Sequence, residues 1–101
     1  MKRNYDDPTY KTWRLKVYSR DRFKCRMPGC KYGGKKIHAH HIKKWSTHAG
    51  LRYDVDNGIT LCDKCHQEVN RNEIHYETLF IIMFHNEFHF YLLLDDIYHK
   101  V

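Results

Sequence analysis

The chain has 101 residues, 42% of them apolar and 30% charged, with a formal net charge of +6. That composition excludes a disordered chain and allows one modest core, and the longest apolar run, LFIIMF at 79–84, is far too short to span a bilayer. The charge is uneven: residues 1–50 hold 14 of the 18 Lys/Arg and 3 of the 12 acidic residues, net +11, and residues 51–101 hold the rest, net −5.

A basic half suits a polyanionic partner, because each neutralised phosphate releases counterions, although a solvated basic face carries the same signature. The opening MKRNYDDPTY has no apolar stretch behind its basic residues, so the chain reads as cytoplasmic, with no membrane partner and with its four cysteines reduced. Residues 1–101 read as a single domain.

The predicted elements follow in chain order. Asp7 to Arg20 is helical: Asp7 caps, Pro8 suits the first turn, and Tyr10, Trp13, Val17 and Tyr18 recur at helical spacing. In RDRFKCRMPGCKYGGKKIHAHHI, the turn signals Pro28-Gly29 and Gly33-Gly34 separate short extended pieces, read as a loop-rich hairpin. Lys43 to Asn57 has no period and reads as a long connection. GITLC at 58–62 is a short strand, after which Asp63 or Thr60 caps a helix through DKCHQEVNRNE. IHYETLFIIMF favours a helix, whereas EFHFYLLL is compatible with strand or helix; this C-terminal segment is expected to pack on the first helix, because so small a core needs more buried area.

Cys25 and Cys30 are spaced C-x4-C around a Pro-Gly turn, and Cys62 and Cys65 are spaced C-x2-C at a helix entry. Two such pairs in a reducing compartment read as a closed, tetrahedral four-cysteine zinc site that ties the N-terminal half to the strand–helix unit. Reduced buried cysteines or redox dithiols are the alternatives.

The histidines stand beside these cysteines. IHAHHI at 37–42 holds His38, His40 and His41; Asn57 follows in DNGI, then His66 and Asn70 in LCDKCHQEVN. His66 and Asn70, four residues apart, share a helix face and one ion's reach. Over residues 25–70 this order of a cysteine pair, AHHI, DNGITLC, CDKCH and a last ligand one turn on resembles the HNH endonucleases, the ββα-metal nucleases. The resemblance implies an α+β fold: a small ββα-metal core with a four-cysteine zinc site, flanked by an N-terminal helix and a C-terminal helical or extended segment. It also implies roles. His40, His66 and Asn70 hold a catalytic divalent ion, His41 is the general base that activates water, and Asn57 orders the hairpin loop and, through it, the base. Asn70 stands where many members have histidine; its oxygen shifts the preference towards Mg2+ or Mn2+.

The chemistry agrees with the resemblance. Phosphodiester hydrolysis needs a water, a base near neutral pKa and a cation on the developing oxyanion and leaving group. His41 has to stay off the metal, with its second ring nitrogen held by an acceptor such as a carbonyl of the Asn57-ordered loop. In a straight strand His38 and His40 face one way and His41 the other, so a strand end, twist or bulge is needed for His40 and His41 to reach one phosphate; the competing pairing puts His38 and His40 on the metal and His41 in the core. DNA contacts are expected from Lys35, Lys36, Lys43, Lys44 and Arg52, as phosphate contacts with little sequence information, while Arg20, Arg22 and Arg26 fit a solvated face equally well. His48, His75, His85, His89 and His99 read as surface or structural.

The expected activity is thus a metal-dependent endonuclease on double-stranded DNA, nicking or cutting both strands, alone, as a homodimer, or with a phage packaging or restriction partner. The alternative is a zinc-stabilised nucleic-acid-binding module without catalysis.

Overall fold

The computed structural model describes residues 4–32 and 35–84. The architecture is α+β, a two-stranded antiparallel sheet covered by helices on both faces. Helix α1 spans Pro8–Arg20; Asp7 caps it by accepting the Thr9 N–H at 2.9 Å, and Pro8 occupies its first turn. Tyr10, Trp13 and Val17 are its buried stripe. After Arg20 the chain reverses through Arg22 and Phe23, both left-handed with φ of 56° and 58°.

Strand β1 is Ile37–His41 and strand β2 is Gly58–Cys62, in a register that pairs Ile37 with Cys62 and His41 with Gly58. The extended pieces before residue 37 therefore do not form the expected hairpin. The partner of β1 comes from beyond the long loop, which contains two short 3-10 turns, Ala49–Leu51 and Val55–Asn57. Gly33-Gly34 lies outside the described residues. Helix α2 is Asp63–Arg71. Its N-cap is Cys62, not Asp63 or Thr60: Asp63 starts the helix, and Thr60 is fully buried in β2 with its N–H donated to Asp21 at 2.9 Å. The helix stops short of Glu73 because Asn72 leaves helical geometry, at φ −149° and ψ 59°. A further helix, α3, runs over residues 73–84. The segment EFHFYLLL lies outside the described residues, as do His85, His89 and His99.

Alternation along the two strands decides the packing. Ile59 and Leu61 join Ile42, Cys62, Cys65, Val69 and Phe80 in one buried cluster, with Tyr76, Leu79, Met83 and Phe84 against it. Ala39 packs on the other face with Tyr10, Trp13 and Val17. Helix α3 thus covers the α2 face, because Ile59 and Leu61 point away from α1 and need a cover of their own; the packing expected of EFHFYLLL on the first helix falls outside the described residues. The contact of α3 with the end of α1 is at Phe84, whose ring lies under the Arg20 and Arg26 guanidinium groups at 4.9 and 5.4 Å. With both faces covered, every residue of β2 is buried. Among the described residues no helix is long and apolar enough to cross a membrane.

Candidate active site

Because β2 occupies one side of β1, the other edge of β1 pairs with no strand among the described residues, and a cleft of about 630 Å³ runs along it. His38, His40, His41, His66 and Asn70 all line that cleft. The register is unbroken through His41, which is the last residue of β1. The alternation is therefore retained, with His38 and His40 towards α2 and His41 towards α1, and side chains from both faces meet at the strand's free edge.

On the α1 side, His41 is only 7% exposed and stacks on Trp13 with ring centroids 4.0 Å apart and planes 11° from parallel. Trp45 meets it edge-on at 5.4 Å. Its Nε2 lies 2.9 Å from the Arg52 carbonyl, and since a carbonyl only accepts, Nε2 carries the hydrogen, which in the neutral ring leaves the lone pair on Nδ1. Asn57 holds the surrounding loop. Its Oδ1 accepts the Lys43 N–H at 2.8 Å, and its Nδ2 donates to the Lys43 and Leu51 carbonyls at 3.2 and 3.3 Å. The loop is thereby clamped to the end of β1 one residue before Arg52. Trp13 joins the same loop by donating Nε1–H to the Asp54 carbonyl at 2.8 Å.

On the α2 side, His38 stacks on His66 at 4.5 Å and His40 meets His66 edge-on at 5.5 Å. His38 Nε2 is 2.8 Å from Asp63 Oδ1. That hydrogen bond from His38 is the leading cause holding the Asp63 carboxyl below the ordinary range. Burial, with the neighbouring His38 charge second, lowers the pKa of His66 against the opposing pull of Asp63 and Glu73, which favours its neutral ring. Asn70, one turn on, is exposed along the same cleft. Two imidazoles and an amide oxygen are donor types that suit a borderline or hard divalent ion.

The four cysteine sulfurs form a second constellation, all within 4.8 Å of one another and positioned to bind a metal. Cys30 Sγ is 3.8 Å from Cys62 Sγ and 3.7 Å from Cys65 Sγ. Tetrahedral zinc with bonds of about 2.3 Å sets its sulfurs about 3.8 Å apart, so the spacing is consistent with a zinc site. Burial, followed by hydrogen bonding from the neighbouring thiols, pushes the Cys65 thiol far up, and burial also raises Cys25. Thiolates packed this closely need a cation among them.

The basic residues expected to meet DNA are placed unequally. Lys35 and Lys36 are exposed ahead of β1. Lys43 Nζ is 3.0 Å from Glu77, and Lys44 Nζ is 3.3 Å from Glu73. Arg52 turns inward: its Nε donates to the Trp45 carbonyl at 2.9 Å, and its guanidinium lies 4.6 Å above the Trp45 ring. Arg20 and Arg26 are not a solvated face, because both bind the buried carboxylate of Asp21 at 2.8 Å. His48 is exposed beside Thr47, at 2.7 Å, and His75 meets Tyr76 edge-on.

Sequence reasoning expected a loop carbonyl on His41, which is that of Arg52, but missed several residues of this site: Trp13, the His38–Asp63 pair and the α1 wall of Tyr10, Arg14 and Tyr18. Their available signal, the helical stripe of α1, reads as ordinary core. The family model described as HNH endonuclease matches residues 25–72, from the first cysteine to just past Asn70. No curated protein and no solved structure matches the chain.

Proposed function

From the match of residues 25–72 to the HNH endonuclease family model, we propose that the chain is a divalent-metal-dependent DNA endonuclease with His41 as its general base. The observation that carries the reading is one cleft that gathers a carbonyl-held imidazole, three further histidines and Asn70. In this reading His41 Nδ1 takes a proton from water, and the hydroxide oxygen attacks the phosphorus in line. The bond from phosphorus to the leaving 3′ oxygen breaks, and that oxygen takes a proton from solvent. The Trp13 stack keeps the imidazole plane fixed, and the Arg52 carbonyl stabilises the imidazolium formed when Nδ1 is protonated. Asn57 is a positioning residue that acts through the Leu51–Arg52 segment.

His40, His66 and Asn70 would hold Mg2+ or Mn2+, and Cys25, Cys30, Cys62 and Cys65 a structural Zn2+. When bound, the catalytic ion supplies positive charge to the developing oxyanion and leaving group. Its protein ligands are all neutral, so the substrate's own phosphate completes the charge balance. The α2 face favours a second assignment, since His38 stacks at 4.5 Å on His66 and shares a face with His40; there His38 joins His40 as a ligand and His41 only packs.

Supercoiled plasmid incubated with Mg2+ or Mn2+ tests both. Wild type is expected to relax or linearise it, and His41→Ala to lose about 10²–10⁴-fold in rate. Undiminished cutting by His41→Ala, with cutting lost in His38→Ala, establishes the second assignment instead. Binding without cutting under any divalent ion identifies the non-catalytic module.

A further inference from the structure

We propose that Arg14 seats the substrate's backbone phosphate in the cleft, an assignment that rests on the nuclease reading above. The cleft has two walls of opposite character. On the α3 side stand Glu73 and Glu77. They pair with Lys44 and Lys43, the lysines that flank β1 and that sequence alone nominates for phosphate. Those two positive charges are already balanced, and a phosphate approaching that wall meets carboxylates.

The α1 wall carries Tyr10, Arg14 and Tyr18, one turn apart on a single helix face. Arg14 is half-buried, and among the described residues no carboxylate pairs with it. Its guanidinium lies 5.8 Å from the Tyr10 ring centroid. Its charge also opposes the burial that raises the Tyr18 hydroxyl, so it lies within electrostatic reach of Tyr18 as well. Tyr18 in turn donates its hydroxyl to the Ile37 carbonyl at 3.3 Å, which ties this wall to the start of β1. Arg14 directly follows Trp13, the residue stacked on His41. A planar fork flanked on its helix face by two tyrosines, lining the same cleft as the candidate base and paired with no carboxylate among the described residues, is built to grip two oxygens of one phosphate. Lysine at the rim supplies only a mobile point charge.

The test is equilibrium binding of the zinc-loaded full chain to a short fluorescein-labelled DNA duplex, with Mg2+ omitted, across a salt series. Arg14→Gln is expected to weaken binding about ten-fold at low salt and to reduce the slope of log K against log salt by about 0.9, the loss of one phosphate contact. Lys44→Gln should stay within about two-fold of wild type. Arg14→Lys should restore the slope but only part of the affinity, a split that loss of folding does not produce. Zinc content and the thermal midpoint are measured on every variant, and if Arg14→Gln lowers the midpoint, the Arg14→Lys split decides alone. Wild-type affinity and slope in Arg14→Gln, or an equal loss in Lys44→Gln, overturns the assignment. A wild type that binds duplex yet never cuts sinks the nuclease reading, and the same slopes still decide Arg14.

Discussion

Gly58 stands opposite His41 in the sheet, where a Cβ would fall 2.5 Å from Val17 Cγ2 and 2.8 Å from Trp13 Cζ2. Its backbone is ordinary extended strand, at φ −118°, so the constraint is space and not conformation. The missing side chain lets the Trp13 indole lie close to the sheet and stack on His41. Gly58→Ala is expected to lose about 1–3 kcal/mol by overpacking, read as a lower midpoint in urea, and to slow cleavage by displacing the stack. An unchanged midpoint would refute the close approach. The DNGI motif marks Gly58 in the sequence, but the reason for glycine lies in α1, far away along the chain. Asn57 behaves differently: its loop-ordering place was legible from DNGI, while the particular groups it holds, at Lys43 and Leu51, required the fold.

At the scale of elements, two devices tie the N-terminal half to β2 and α2. One is the four-sulfur cluster, whose ligands come from the turn after α1, the end of β2 and the first turn of α2. If this cluster holds the fold together, removing its metal or substituting Cys62→Ser should abolish the cooperative melt and not merely reduce rate; a metal-free chain with an unchanged melt would count against it. The other device is Asp21, just past α1, which accepts from Arg20, Arg26 and the Thr60 N–H while Arg20 also donates to the Val55 and Gly58 carbonyls. Burial by itself would raise the Asp21 carboxyl, but the Arg20 hydrogen bonds and charge together with Thr60 outweigh it and hold the group below its ordinary range. A carboxyl depressed on folding contributes stability that is full above its unfolded pKa, roughly 3.9, and is lost as pH falls through the lower folded value. Asp21→Asn should therefore cost about 3 kcal/mol at neutral pH by leaving two arginines without their partner. In a pH series of melts, the gap between wild type and variant should close in acid; a gap that persists unchanged to the lowest pH would refute the linkage. Cysteine spacing made the first device readable, whereas the partners of Asp21 come from elements far apart along the chain.

Across the whole molecule, the charge asymmetry of the sequence becomes an asymmetry of the cleft. The basic first half supplies α1 and the β1 edge, and the acidic second half supplies Glu73 and Glu77 on the facing wall. The α+β class came with the family resemblance, while local chemistry was enough to determine the extents of α1 and β2, the cysteine quartet and the order of the histidine motif. These depend on capping, short-range period and spacing along one stretch of chain. Only the tertiary structure decided that β1 pairs with β2 and not with its preceding turn, that α3 covers the α2 face, and that Arg52 turns inward to hold His41 with its carbonyl. The division of IHAHHI belongs there too. Alternation sends His40 and His41 to opposite faces, and they share a cleft because β1 ends at His41 and, among the described residues, its second edge is open. An open edge is a property of which strand pairs with which, and that pairing is set by burial on both faces of β2, among residues far apart in sequence.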